Sequence, residues 1–311
     1  MQDMKRAIVT GAAGFLGGWL VRELLNNGIE VVAVVHRDGS GKGRLPASDR
    51  LQVVCCSMEE YDRLPRLVAV SADTVFYHAA WDGVYGPHRS EASVQMKNVL
   101  AAQAAVQAAV QLHCEAFVGI GSIMEFEAAA AAEQDGLQPS KAYVYGEAKR
   151  FAHLLSKAAA AEYGIRHVWP ILTNLYGEYD TSTRFISSTL RKIIDEKELS
   201  FTEGKQLYDF IHVQDAARAL RLLGQSGQAF HSYLVGSGQP RPLRQFVEEL
   251  GAALAPEQPL HFGSVPYSGA QLSPEILSTK KLFEDTGFVP QISFAKGIQR
   301  TMMWMKKQYE K

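Results

Sequence analysis

The sequence predicts an α/β fold: a doubly wound parallel sheet followed by a smaller C-terminal lobe. Three observations lead there. Short apolar runs alternate with helical patterns through the first half of the chain. A glycine-spaced stretch, Gly11-Ala-Ala-Gly14-Phe-Leu-Gly17, joins the first apolar run to the first amphipathic one. From about residue 176 the alternation becomes irregular, with helical patterns separated by short strands.

In chain order, strands are expected at Ala7–Thr10, Glu30–Val35, Gln52–Cys56, Thr74–Tyr77, Glu115–Ile120 and His167–Leu172. Helices are expected near Gly17–Asn26, Met58–Ala69, Glu91–Gln111 and Tyr143–Tyr163. The strands are near-continuous apolar runs, as in Glu30–Val35, which is the pattern of a parallel sheet covered by helices on both faces. Right-handed crossovers place all strand C-termini, and any ligand, along one edge. Further on, helices are expected at Arg184–Glu196, Asp215–Leu223, Pro242–Leu254 and Phe294–Lys307. The alanine-rich segment 128–133 reads as a short helical turn or a variable loop.

Gly11–Gly17 has the context that makes a glycine fingerprint informative: strand, turn, helix, strand. Glycine permits the tight turn, lets backbone N–H groups approach a pyrophosphate, and lets helix and strand pack closely. The helix N-terminus then offers free amides and the positive end of its dipole. Gly11, Ala13, Gly14, Phe15, Leu16 and Gly17 are therefore expected to bind a dinucleotide in a Rossmann fold. Residues 1–175 would form that domain, with about 205–232 returning to it, and 176–311 would form mainly a substrate-binding lobe. In such a fold a carboxylate at the end of the second strand accepts from the ribose of NAD, whereas an arginine accommodates the 2′-phosphate of NADP. Here that strand ends in His36-Arg37 with no carboxylate, which favours NADP(H). NAD(H) stays open, because Arg37 beside Asp38 also reads as an ordinary solvated charge.

Composition narrows the classes. The chain of 311 residues is 47% hydrophobic and 21% charged, enough for a substantial core. A net charge of −1 without a basic patch argues against nucleic acid or an anionic membrane surface as partner. No apolar run approaches the ~20 residues of a membrane span. Cys55, Cys56 and Cys114 lack metal spacing and suit reduced thiols. With no signal-peptide pattern at the start, a cytoplasmic location is expected. The nine histidines show no metal spacing either, and no metal is expected.

Catalytic candidates cluster at the sheet edge. Tyr145 and Lys149, four residues apart, share one helix face. A phenol titrates near 10, and an adjacent ammonium would lower that, giving a tuned acid/base. Tyr-x-x-x-Lys arises readily by chance in a chain with 12 tyrosines, so its place after the fifth strand is what counts. Ser122 ends that strand, where a hydroxyl could donate to a substrate carbonyl, or simply cap a turn. Trp81, Val84 and Tyr85 follow the fourth strand and read equally as pocket lining or surface loop.

Together these features resemble the extended branch of the short-chain dehydrogenase/reductase superfamily: nucleotide-sugar epimerases, dehydratases and ketoreductases. Thr10–Gly17 matches the TGxxGxxG turn. Val75-Phe-Tyr-His78-Ala79-Ala80 is similar to the segment after the fourth strand, and Asn98 falls where the family has an asparagine on the following helix. Ser122, Tyr145 and Lys149 match the triad. Pro170–Gly177 resembles RPxNxYGP, and Tyr208–Asp215 resembles RDFIHVxD. The resemblance spans nearly the whole chain. It implies hydride transfer at a sugar carbon, with Ala79, Ala80, Asn98, Tyr145 and Lys149 beside the cofactor, Asn174 on the nucleotide sugar, and a homodimer.

Departures from the family pattern refine the expectation. The 4,6-dehydratases carry Thr-Asp-Glu where this chain has Ser122-Ile123-Met124, which argues against elimination of water. The 3,5-epimerase/4-reductases carry a cysteine at the Met124 position and a histidine near Tyr179. Tyr208 replaces an arginine that grips the substrate diphosphate; Arg184 or another basic side chain could take that task, or the substrate is not a standard nucleotide sugar. Substrate contacts are thus expected from Trp81, Met124, Asn174, Tyr179, Arg184 and Tyr208. A ketone reduction needs only hydride, Tyr145 and Ser122. The leading expectation is an NADP(H)-dependent reductase of a nucleotide-linked 4-keto sugar. The alternatives are an NAD-dependent nucleotide-sugar 4-epimerase and a non-catalytic NADP(H)-binding sensor or scaffold.

Overall fold

A computed structural model describes residues 4–36, 41–135, 140–267, 269, 270 and 272–309. The first half runs β1 (Arg6–Thr10), α1 (Phe15–Asn26), β2 (Glu30–Val35), β3 (Leu51–Cys55), α2 (Leu64–Leu67), β4 (Thr74–His78), α3 (Ala92–Gln111), β5 (Ala116–Gly119), β6 (Gly121–Ser122), α4 (Met124–Glu133), α5 (Tyr143–Tyr163) and β7 (Arg166–Leu172). The second half runs β8 (Asn174–Tyr176), α6 (Phe185–Ile194), β9 (Leu199–Phe201), β10 (Leu207–Tyr208), β11 (Phe210–His212), α7 (Val213–Ser226), β12 (His231–Val235), β13 (Arg241–Pro242), α8 (Leu243–Leu254), β14 (Leu260–Phe262), α9 (Lys280–Thr286) and α10 (Phe294–Tyr309).

The main sheet has the order β12-β7-β5-β4-β1-β2-β3, with β6 also on β7, and every pairing is parallel. Successive side chains of a strand enter opposite cores. Ala7, Val9, Val31, Ala33 and Val35 pack on one face, and Ile8, Val32 and Val34 on the other. That is why the strand sequences are apolar throughout rather than alternating. On the first face lie Leu20 and Leu24 of α1 and Ala216, Leu220 and Leu223 of α7. A separate core joins Ile186 and Leu190 of α6, Phe201, Phe210, Phe246 of α8, and Ile298 and Met302 of α10.

The sheet order reverses between β1 and β4, where Thr10 pairs with His78. A crevice therefore opens at the C-terminal ends of these strands. His78 packs as a structural residue there: its Nδ1 lies 2.9 Å from the Thr10 hydroxyl, and burial pushes its pKa down to about 3.

Two expected elements differ. The helix expected at Met58–Ala69 is a 3-10 turn, Met58–Arg63, followed by α2. Glu60 leaves helical geometry (φ −118°), and Pro65, at the start of α2, has no N–H for a preceding turn. The alanine-rich 128–133 is the C-terminal part of α4, a ten-residue helix rather than a loop. Its first alanine, Ala128, sits where α4 and α5 nearly touch. A Cβ on Gly146 would lie 2.3 Å from the Met124 carbonyl oxygen and 2.8 Å from Ala128 Cβ.

Candidate active site

The glycine turn is built by close approach. Gly11 has φ +66°, and a Cβ there would lie 2.7 Å from the Ala80 backbone; a Cβ on Gly17 would lie 2.1 Å from the Gly11 carbonyl oxygen. Gly14 starts α1 with no side-chain cap, and the first helical bond is Gly18 N–H to Gly14 O at 2.9 Å. The amides of Phe15, Leu16 and Gly17 thus have no partner within the helix, and no acidic side chain stands in its first turn. This is a cradle that fits a dinucleotide pyrophosphate.

A cleft at the crevice is lined by Gly11, Gly14–Gly17, Ala79 and Trp81 on one side, by Ser122, Tyr145 and Lys149 on another, and by Tyr179–Ser182 and Arg184 across the opening. Ser122 arrives on β6. Tyr145 and Lys149 arrive on the first two turns of α5, and both are 5% exposed. Lys149 Nζ donates to the Ile120 carbonyl oxygen at 2.7 Å and sits 3.5 Å from the centroid of the Trp81 ring.

The electrostatics correct one expectation. The Tyr145 phenol titrates above its ordinary value, because burial penalises the phenolate. Arg89, the Ser122 hydroxyl and Arg184 pull it down, and Glu125 pushes it up. The cation on the phenol is Arg89, 4.4 Å from the ring centroid, whereas Lys149 Nζ is 5.9 Å away. Lys149 is itself pushed down to about 7, by burial, with Glu125 opposing.

Arg89 escaped the sequence reading because only the fold brings the 3-10 turn Pro87–Ser90 over α5. Its Nη1 donates to the Val84 carbonyl oxygen at 2.7 Å, which fixes the guanidinium over Tyr145. Arg89 also faces Glu127 of α4, whose carboxyl burial pushes up to about 7 against the arginine's pull.

Other expected residues fall in varied places. Arg184 stands beside the glycine turn, its guanidinium 5.1 Å from the Phe15 ring and its Nη2 3.2 Å from Asp180 Oδ1. Tyr179 lines the cleft in a left-handed conformation (φ +72°), held between Trp19 and Trp304 at 5.9 and 5.4 Å. Trp81 donates from Nε1 to Gln95 Oε1 at 2.9 Å. Asn98 is buried outside the cleft lining. Its amide donates to the Asp82 carbonyl at 2.9 Å and its Oδ1 accepts from Asp82 N–H at 2.8 Å, so it braces the segment after β4. Asn174 donates to the Asp209 carbonyl at 3.1 Å, Met124 packs on the Ala128–Tyr143 cluster, and Tyr208 packs on Phe210 at 5.6 Å. These three also lie outside the lining. Ala80 backs the Gly11 turn, Ala13 packs on the core, and His36 is exposed. Arg37 lies outside the described residues. Among those described, no group of three His, Cys, Asp or Glu could hold a metal ion, and no helix is long and apolar enough to cross a membrane.

Comparison with known proteins gives the family and the fold. Among relatives, the chain is 27% identical to dTDP-glucose 4,6-dehydratase of Streptomyces niveus, covering 97% of this chain and 93% of that one. It is 26% identical to dTDP-4-dehydro-6-deoxy-D-allose reductase of Streptomyces bikiniensis, covering 97% and 96%. Its fold is similar to a crystal structure of UDP-glucose 4-epimerase with UDP-glucose from Thermotoga maritima (TM-score 0.80, 20% identity, 98% and 99% covered). It is also similar to dTDP-glucose 4,6-dehydratase from Streptomyces venezuelae with NAD bound (TM-score 0.78, 23% identity, 98% of each). The family model for NAD dependent epimerases and dehydratases matches residues 7–236. With the glycine cradle, the Ser-Tyr-Lys wall and a match over most of its length, the chain belongs to the NAD dependent epimerase/dehydratase family, enzymes of the extended short-chain dehydrogenase/reductase type.

Proposed function

We propose that this chain is an NADP(H)-dependent reductase of a nucleotide-linked 4-keto sugar. The observation that carries the reading is the cleft wall of Ser122, Tyr145 and Lys149 facing the glycine turn, in which Ser122 is followed by Ile123 and Met124. Neither of those two can move the protons that elimination of water requires. The carboxylate next along α4, Glu125, is occupied by the Ser122 backbone N–H at 2.9 Å and the Trp169 indole N–H at 3.1 Å.

The nicotinamide supplies hydride when bound. The chain's own residues do the rest. The amides of Phe15–Gly17 hold the pyrophosphate. Arg44, which lines the cleft, and Arg37, which follows the second strand in sequence, are assigned to the 2′-phosphate. Arg184 faces phosphate from the other side of the opening. Ser122 Oγ donates to the substrate carbonyl, and Tyr145 transfers its proton to the oxygen as negative charge develops there. The raised phenol pKa keeps that proton in place at neutral pH, the state a reduction needs. Lys149 holds the cofactor ribose. The core of α6, α8 and α10 forms the lobe that closes over the sugar, and the reaction takes place in the cytoplasm. A homodimer forms on α3 and α5, where Leu100 is 61% and Leu154 is 67% exposed, together with Met96 and Phe151.

The test is incubation with NADPH or NADH and a panel of dTDP- and UDP-linked 4-keto-6-deoxy sugars, with product analysis. One NADPH oxidised per sugar reduced is expected. Sugar interconversion without net oxidation identifies a 4-epimerase, and binding of NADPH without turnover identifies a sensor; either result overturns the reading. Arg37→Asp raises the NADH-to-NADPH affinity ratio; an unchanged ratio removes the 2′-phosphate role.

A further inference from the structure

Behind the catalytic wall lies a buried carboxylate that hydride transfer does not require. Glu125 is 4% exposed, in the first turn of α4. Its Oε1 accepts the Ser122 backbone N–H at 2.9 Å and the Trp169 Nε1–H at 3.1 Å, and its Oε2 lies 3.6 Å from His153 Nδ1. His153 stacks flat on Trp169, with centroids 4.6 Å apart and planes 2° apart, and its Nε2 lies 3.3 Å from the Ser232 hydroxyl. The backbone is shaped around this assembly. A Cβ on Gly121 would lie 2.4 Å from Trp169 Nε1 and 2.5 Å from Glu125 Oε1, and one on Gly119 would lie 2.2 Å from the Trp169 ring. The Gly-Ile-Gly run that delivers Ser122 is glycine because this indole and carboxylate occupy the space.

We propose that Glu125 is a positioning residue of the active site, fixing Ser122 through its backbone amide and, from that fixed place, acting electrostatically on Lys149. The inference deepens the reductase reading and rests on it for the roles of Ser122 and Lys149. The charge raises both Lys149 and Tyr145, so it keeps the lysine partly protonated against its burial and keeps the proton on the phenol. The titratable groups against this assembly are His153 and Lys149 from α5 and His167 from β7, which stacks on both His153 and Trp169, while Arg89, Arg184 and Glu127 act around Tyr145. Glu125 itself is bonded to the Ser122 main chain.

Two variants separate position from charge. Glu125→Gln keeps an oxygen within reach of Ser122 N–H and removes the charge. Glu125→Asp keeps the charge and withdraws it by one methylene. Two readouts need no substrate: the pH midpoint for acylation of Lys149, followed by mass spectrometry on the cofactor-free protein, and hydrogen exchange of the Ser122 amide. The wild-type midpoint is expected near 7. Glu125→Gln lowers it by about one unit and leaves the Ser122 amide protected. Glu125→Asp holds the midpoint and speeds Ser122 exchange by roughly tenfold or more, the factor of one net hydrogen bond. A midpoint unmoved in Glu125→Gln overturns the charge role, and unchanged Ser122 exchange in Glu125→Asp overturns the positioning role. If either variant fails to fold, the other still tests its own half. If the wild type reduces no sugar yet both readouts move as stated, the functional reading fails and this inference stands.

Discussion

Replacing Lys149 by methionine should stabilise the cofactor-free protein, and the gain should depend on pH in a defined direction. Burial depresses the amine from 10.5 to about 7, which as a free energy is at most about 5 kcal/mol of stability lost to keeping a charge in the core. The cost is present in full below pH 7, where the lysine is protonated in both states. Between pH 7 and 10.5 the folded form releases its proton while the unfolded chain keeps one. Wild-type stability therefore rises with pH relative to the methionine variant, by about 1.4 kcal/mol per unit. The bond to the Ile120 carbonyl and the contact with Trp81 return part of the penalty, so the gain at pH 6.5 is expected nearer 2–3 kcal/mol. Urea unfolding of both proteins at pH 6.5, 8 and 9.5, without nicotinamide, measures the gap. A gap that stays constant with pH, or widens as pH rises, would refute the assignment of Lys149 as a buried amine titrating near neutrality.

Other expectations bear on the remaining parts of the site. Tyr145→Phe should lower turnover by about 10²–10⁴ while NADPH affinity, measured by fluorescence titration, stays nearly constant; retained turnover would remove the phenol from proton transfer. Gly17→Ala places a methyl group 2.1 Å from the Gly11 carbonyl. It should cost about 1–3 kcal/mol in unfolding experiments and weaken dinucleotide binding, and an unperturbed variant would mean that α1 is free to move off the turn. Leu100→Glu combined with Leu154→Glu should convert the proposed dimer to monomer by light scattering; a wild-type monomer at micromolar concentration would dispose of that interface.

Much of this fold is legible in the residues because the information is local. The buried runs of β1, β2 and β7 announce a covered parallel sheet, and the spacing of Gly11, Gly14 and Gly17 reports a turn that would collide with any side chain. Ser122, Tyr145 and Lys149 could be placed at one edge because each follows a strand end or a helix period. What stayed hidden is set by contacts distant in sequence. Arg89 reaches Tyr145 only after the turn before α3 folds over α5. Trp169 and Glu125, 44 residues apart, meet behind Ser122. Asn98 and Asn174 have the residue type expected at a ligand, yet both spend their amides on neighbouring backbone. The direction of the Tyr145 shift was equally out of reach, because four-residue spacing shows that two groups share a helix face without showing how deeply each is buried. The run 128–133 looked featureless for a related reason: Ala128 is small where α4 meets Gly146 of α5, which composition does not reveal.

The flat seat of Trp169 on Gly119 and Gly121 has a consequence for how this site can change. Neither glycine can accept a side chain while the indole stays, and shrinking the indole leaves a void and an unmatched carboxylate beside the serine. Residues 119, 121 and 169 are therefore coupled, with 125 beside them, so that enlarging either glycine calls for a matching change in the indole. Libraries aimed at new sugar preference would do best to vary those four together or leave them untouched.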